Sequence, residues 1–433
     1  MTSFPFTFEQ NFLRGQHETD GSTAGFGQRP ISSGALRIDG PLDTGRLATA
    51  IQRAVELHPQ TRAAVHPDGQ EIRATAAVRI EERGLDADDL APDARDRAAE
   101  EFVAACEESP FSERDFPPLR GYLGRFDEND AVLVLVGFLP LIDVWSIEVL
   151  LRDVTRLYAG EDVAAPPAYA DYAAQQDAVS QDSGWADRLS GTEAYVLESD
   201  RPAAEHPSGT TRVDRFALDA SVSAGVHRLA EEARASGYMV LLAAHAIELA
   251  RATGRRRGLV WMLTAGPGRR DDKWADTVGY FANMCPLPVD LEGARTFRDA
   301  IRAVRGAALE SLTHEVPFVE LLGIAGAQLA GLERPGMVVP GFAMFQSPAG
   351  SQLVTAGDVR FAGIHRVRSQ DAGPGIPDDA ILWTIERGSD GAVYYALSSS
   401  VDRWEEPSVR AMAEGFTQSL GALVAAPDQP VVI

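Results

Sequence analysis

Asp143 and Ser146 stand three residues apart, with Trp145 between them, inside an otherwise apolar stretch, AVLVLVGFLPLIDVWSIEVLLRDVTRLYAG, that runs from Ala131 to Gly160. A carboxylate and a hydroxyl at that spacing can cap a helix, hold a charge partner or face a bound substrate. Other groups able to move a proton are scattered. His58 ends a helix and His245 lies in the apolar run LLAAHAIELA, where it reads as a satisfied core histidine. His314 precedes Val316-Pro317-Phe318 and reads as part of a structural turn. Ser347 and His365 are left as polar groups that could meet a substrate, and Ser146 is a third, although a helix-capping role explains it more simply. No Ser-His-Asp spacing emerges. Cys106 and Cys285 have no metal-ligand spacing with the histidines, so no metal site is expected.

The elements that must position Asp143 can be read around it. Val132 to Val136 is a continuous apolar run, which suits a strand covered on both faces. Gly137 to Ile142 then reads as a loop containing Pro140, and Asp143 as the N-cap of a helix. That helix carries Ile147, Leu150, Leu151, Val154, Leu157 and Tyr158 at helical spacing, and Gly160 can end it. A loop between a buried strand and a helix N-terminus is a usual place for a reactive site.

Composition narrows the class. The 433 residues are 45% hydrophobic and 24% charged, a globular balance with room for two or three domains. The net charge of −23 and the lack of a basic stripe argue against nucleic acid as a partner. Two cysteines fit a reducing cytoplasm rather than a disulfide framework. The N-terminus MTSFPFTFEQNFLRG has no signal-peptide pattern, and no run approaches the ~20 apolar residues of a membrane span, so a cytoplasmic, soluble protein is expected.

The window Phe138–Val144 with Trp145-Ser146 resembles the core motif of the condensation domains of non-ribosomal peptide synthetases, a branch of the chloramphenicol acetyltransferase-like superfamily. There a hydrophobic strand leads into HHxxxDG, then Trp-Ser and an amphipathic helix ending in Leu-Tyr. Here Asp143, Trp145, Ser146, Leu157 and Tyr158 match. Phe138 and Leu139 replace both histidines, Leu139 at the catalytic one, and Val144 replaces the glycine. The DxxxxD of heterocyclising relatives keeps only its second Asp. Further matches run from about residue 4 to about residue 424. They include Glu9-Gln10 in the opening PLTxxQ segment, Gly40 to Arg62 as the first helix, and Phe111 to Arg120 as PFDLxxxPLxR. They go on with Tyr169 to Gln176 as YxDYAxWQ, Asp200-Arg201-Pro202, Arg269 in an AGR-like turn, and Gly279 to Asn283 as GxFxN.

The resemblance implies an α+β fold of two chloramphenicol acetyltransferase-like lobes, residues 1–175 and 176–433, in a V-shaped pseudo-dimer with a tunnel between them. It implies a structural ion pair of Asp143 with Arg269 bridging the lobes. It also places Phe138, Leu139, Trp145, Asn283 and Gln346 along the tunnel, with Ser347 beside them. The family's substrates are thioesters on the phosphopantetheine arm of a carrier protein, and the protein is expected to bind no cofactor of its own. An acidic carrier would be repelled by the average charge, so its dock should be a local arginine patch. The family's histidine positions the nucleophile and helps its proton move, which leucine cannot do. Three readings stay open: histidine-independent acyl transfer (amide or ester formation) or cyclisation by a stand-alone enzyme; a catalytically silent domain recruiting an oxygenase or other tailoring enzyme to a carrier-bound substrate; and a scaffold remnant. The first is preferred, because the chain starts at its own Met1 and carries no adenylation or carrier sequence.

Overall fold

The computed structural model describes residues 2–15, 26, 31–86, 92–109, 111–176, 184–205, 207–330, 336–344, 354–373, 375–388 and 391–433. The chain opens with β1 (Thr2–Phe4), α1 (Phe8–Gly15), β2 (Ile31–Asp39), α2 (Thr44–Leu57), β3 (Ala63–His66), β4 (Gly69–Ile72), β5 (Ile80–Gly84) and α3 (Pro92–Glu107). It continues through β6 (Leu119–Arg125), β7 (Asp130–Phe138), α4 (Val144–Ala159), α5 (Tyr169–Gln175), α6 (Trp185–Leu189), β8 (Thr211–Ala217), α7 (Ala220–Ala233) and α8 (Gly237–Thr253). The last elements are β9 (Arg257–Thr264), β10 (Asn283–Asp290), α9 (Phe297–Thr313), α10 (Phe318–Ala330), β11 (Val339–Met344), β12 (Val354–Ala356), β13 (Val359–Gly363), β14 (Gln370–Ala372), β15 (Ala380–Arg387), β16 (Val393–Ser400) and α11 (Glu406–Ala425). This is an α+β architecture, and it divides into two compact units.

The first unit takes in residues 1–177 together with two later segments, 268–282 and 346–366. Its main sheet has the order β12-β13-β2-β7-β6-β5, antiparallel except for β5 beside β6. β7 is central, and every residue from Ala131 to Phe138 is buried, as the unbroken apolar run predicts. α4 lies close against β2 because Gly34 has no side chain. A Cβ there would meet Ile147 Cγ2 at 2.6 Å and Leu151 Cδ1 at 2.8 Å. Asp43 and Asp143 cap α2 and α4, and Gly160 ends α4 in the left-handed conformation at φ 85°. A small sheet, β1-β4-β3, completes the unit.

The second unit comprises residues 178–267, 283–345 and 367–433. Its sheet has the order β10-β9-β11-β15-β16-β8-β14, with β11 parallel to both neighbours and every other pair antiparallel. α8 is apolar almost all round and buried over most of its length, so it forms the spine of this core. His245 sits on it, stacked on Phe342 with centroids 4.8 Å apart. Burial drives its pKa down to about 3, which keeps the imidazole neutral. The expectation of a satisfied histidine needs correcting, since Nε2 is buried without a hydrogen-bond partner among the described residues.

Candidate functional site

The chain leaves β7 at Phe138 and turns through Leu139–Ile142, closed by the amides of Leu141 and Ile142 on the Phe138 carbonyl at 2.9 and 3.0 Å. Two side chains hold the outside of this turn. Gln10 Nε2 donates to the Pro140 carbonyl at 2.8 Å, and Ser32 Oγ donates to that of Ile142 at 2.5 Å. Phe138 is buried in the core of the first unit, edge-on to Phe26 and stacked on Phe111. Leu139 and Trp145 are half-buried.

Asp143 is the hub. Its Oδ1 accepts the Ser146 amide at 2.8 Å, which caps α4, and its Oδ2 accepts the Phe281 amide at 3.0 Å. Its own amide donates to the Gly279 carbonyl at 3.0 Å. Ser146 Oγ donates to Gly279 O at 2.9 Å and accepts from Gly279 N and from Arg269 Nη2, each at 3.0 Å. A hydroxyl has one proton and two lone pairs, and all three are engaged. The capping role expected for Ser146 therefore falls to Asp143. Ser146 is at the third helical position, so its amide is capped and its hydroxyl joins α4 to the 269–281 segment.

Arg269 lies 3.5 Å from Asp143, at the long end for an ion pair. Its shorter bonds run from Nη1 to the carbonyls of Trp274, Ala275 and Thr277, at 2.7, 3.1 and 2.8 Å. The guanidinium is stacked over Phe281 at 4.0 Å and Trp145 at 5.3 Å. Burial pushes its pKa down, and the nearby Asp143 charge opposes that. Trp145 Nε1 adds a bond to Ala275 O at 2.8 Å. Both partners of the pair belong to the first unit, because residues 268–282 do. Gly279 lets this segment press on an aromatic ring, since a Cβ there would meet Tyr169 Cδ2 at 2.2 Å.

A second polar network in the same unit has no helical or strand periodicity to announce it. Glu9, 1% exposed, accepts from Tyr172 Oη and Gln176 Nε2, both at 2.7 Å. Tyr169 Oη donates to the Tyr280 carbonyl at 2.5 Å. Burial raises the Glu9 pKa above its ordinary value of 4.5, and the bonds from Tyr172 and Gln176 only partly offset it. A carboxyl with a raised folded pKa contributes stability that is complete below its unfolded pKa and is lost as the pH rises through its folded pKa. The Glu9→Gln variant should therefore gain on wild type as the pH is raised from about 4.5, by up to ~1.4 kcal/mol for each unit separating the two pKa values. Urea unfolding across that range checks the slope. A constant offset from refitting the Gln176 amide would leave the slope intact, whereas a flat difference would show that Glu9 keeps an ordinary pKa.

The remaining sequence candidates lie elsewhere. Asn283, at the start of β10 in the second unit, donates to Glu315 Oε1 at 3.0 Å and the Val316 carbonyl at 2.9 Å, and accepts the Phe318 amide at 2.8 Å. It braces the turn that His314 enters as the cap of α9. His365 is half-buried just past β13, beside Arg366, whose Nη1 donates to Glu107 at 2.7 Å. Gln346 and Ser347 fall outside the described residues. His58 is paired with Asp153 at 2.9 Å in the core. Among the described residues no three His, Cys, Asp or Glu side chains come together as metal ligands, and no helix is long and apolar enough to cross a membrane.

Comparison with known proteins adds the family. The model of the condensation domain matches residues 31–333. Phosphinothricin tripeptide synthetase PhsC of Streptomyces viridochromogenes is 30% identical over 71% of this chain and 30% of its own length. The chain spans only 5 to 30% of the curated relatives compared. The crystal structure of SgcC5 protein from Streptomyces globisporus, in complex with (R)-(-)-1-(2-naphthyl)-1,2-ethanediol and sucrose, superposes with a TM-score of 0.89 at 31% identity. That match covers 99% of this chain and 100% of SgcC5. The X-domain from teicoplanin biosynthesis has the same fold, with a TM-score of 0.71 at 21% identity, covering 99% of this chain and 96% of the X-domain.

Proposed function

Because the chain belongs to the condensation-domain family of non-ribosomal peptide synthesis, we propose that it transfers an acyl group from a carrier-bound thioester to an amine or hydroxyl, or closes a ring, without a histidine in its motif. The thioester C–S bond breaks, a C–N or C–O bond forms, and the nucleophile's proton leaves with the phosphopantetheine thiol. The observation that supports this reading is the state of the loop. Asp143 and Ser146 are fully bonded to Arg269, Gly279 and Phe281, and Leu139 occupies the motif's basic position. The loop then acts by position rather than by proton transfer. Positioning alone can supply roughly 7–11 kcal/mol at best, and a general base adds about 10²–10⁴-fold. An amine attacks a thioester through its own lone pair and needs a base least.

The likeness to SgcC5, crystallised with an aryl-substituted ethanediol, favours an acceptor with an apolar ring body. His365 and Ser347 are the polar groups we assign to the substrate's surroundings, with Leu139 and Trp145 as apolar walls. The donor is carried on a phosphopantetheine arm, and the protein supplies no cofactor of its own. The reading is tested by intact-protein mass spectrometry of the acyl-loaded carrier from the same biosynthetic cluster, with acceptor present. A product that forms faster with this protein than without it is expected. An unchanged rate and product profile refutes the transferase.

The loss of both histidines favours a second reading, a silent domain that brings an oxygenase to the carrier-bound substrate. Under it the mass of the carrier's cargo changes only when both the oxygenase and this protein are added.

A further inference from the structure

On the first unit, away from the Asp143 hub, the extended chain before β5 and the segment leading into β6 line an open surface groove of about 500 Å³. Its walls are Val78, Ile80, Phe116, Pro117 and Leu119, with Tyr122 beyond them. That volume and that apolar lining with a few polar groups suit a small organic molecule.

The charges around it decide which kind. Glu81 is held by Arg83, whose Nε and Nη2 reach it at 2.9 and 2.7 Å. Asp115 accepts from the amide and hydroxyl of Ser112 at 2.7 and 3.0 Å and pairs with Arg120 at 3.3 Å. Both acids of the groove are thus neutralised by their own neighbours. Arg79, exposed on the groove, has no hydrogen bond or ion pair among the described residues. Arg73 lies with its guanidinium 4.4 Å from the centre of the Phe116 ring and has no acid partner either. Against these two arginines stands one nearby acid without an ion pair among the described residues, Glu82 on β5, so positive charge is left over at this groove on a protein whose net charge is −23. Screening over about 8 Å at physiological ionic strength lets this local field act against the distant excess of acids. An added β-strand is a poor occupant, because β5 presents Glu81, Glu82 and Arg83 along its open edge.

We propose that this groove binds a small amphipathic carboxylate, with its aromatic or acyl body against Phe116, Pro117 and Val78 and its charge at Arg79. The groove is also tied to the motif strand, since the Phe138 amide donates to the Pro118 carbonyl at 3.0 Å. The site is independent of the transferase reading and can stand or fall alone.

The test is calorimetric titration of the full chain with 2-naphthoate, and with 2-naphthylmethanol as its neutral counterpart. One saturable site is expected for the carboxylate, with the alcohol about tenfold or more weaker, as for loss of a charge-assisted hydrogen bond. Arg79→Ala should weaken the carboxylate by a similar factor. Ala77→Trp, at an exposed residue of the wall, should abolish binding by filling the groove. Thermal melts confirm that both variants fold. No saturable binding, equal binding of acid and alcohol, or binding unaffected by the two substitutions would each overturn the proposal.

Discussion

Replacing Arg269 with alanine is expected to destabilise the first unit by about 3–5 kcal/mol, the range found when one partner of a buried charge pair is removed. The loss has two sources. Asp143, 3% exposed, keeps a charge with no cation beside it. The carbonyls of Trp274, Ala275 and Thr277 lose the donor that gathers them. The distances say which source is larger. Arg269 reaches the carbonyls at 2.7 to 3.1 Å and Asp143 only at 3.5 Å, and its Nε finds no partner among the described residues. The arginine is first a clamp on the 274–277 backbone and second a counter-ion. Asp143→Asn should therefore cost less than Arg269→Met, because asparagine keeps one carbonyl oxygen for the Ser146 or Phe281 amide. Arg269→Lys should not restore wild-type stability, since an ammonium lacks the planar fork that meets three carbonyls and Ser146 together. Urea unfolding followed by tryptophan fluorescence, with hydrogen exchange over 274–281, reads both quantities. Arg269→Met and Asp143→Asn of equal effect would mean that the ion pair dominates after all.

The parts of this structure legible in the sequence are those fixed by neighbours along the chain. Strand β7 follows from its apolar run, the Asp143 cap from its place before Val144, and the end of α4 from Gly160. The α+β fold of the family followed from motifs spread along most of the chain. What escaped reading depends on residues far apart in sequence. The bond from Gln10 to Pro140 spans 130 residues and that from Tyr172 to Glu9 spans 163, and neither leaves a periodic trace. Ser146 is legible as a polar group at a helix start, but its hydroxyl's partners are Gly279 and Arg269, 133 and 123 residues away. His245 was legible as core, whereas the orphaned Nε2 depends on how Phe342 and Trp383 stack around it. Residues 268–282 and 346–366 return to the first unit after the chain has built much of the second, an arrangement no single boundary along the sequence can express.

Restoring a base to the motif should produce the largest change in activity. Leu139→His places an imidazole where the family carries its catalytic histidine, in a half-buried turn that Gln10 and Ser32 already hold by its carbonyls. The expected gain in transfer from the carrier thioester is about 10²-fold, the lower end for a positioned general base. Phe138 keeps the gain at that lower end. It stands at the first histidine of the motif and is locked between Phe26 and Phe111, so the new imidazole lacks that neighbour. The variant's rate should climb through a pH near 6.5, the ordinary imidazole value, as the ring loses its proton. With a pre-formed amine as acceptor, the wild-type rate should show no such step. Initial rates from carrier mass spectra across pH 5.5–8.5 give both profiles. A wild-type step in the pH profile that His365→Ala removes would move the base to His365. A Leu139→His variant with unchanged rate and profile would show that the reacting atoms do not lie at this loop. If neither protein yields product, yet the oxygenase modifies the carrier only in their presence, the recruiting reading replaces the transferase.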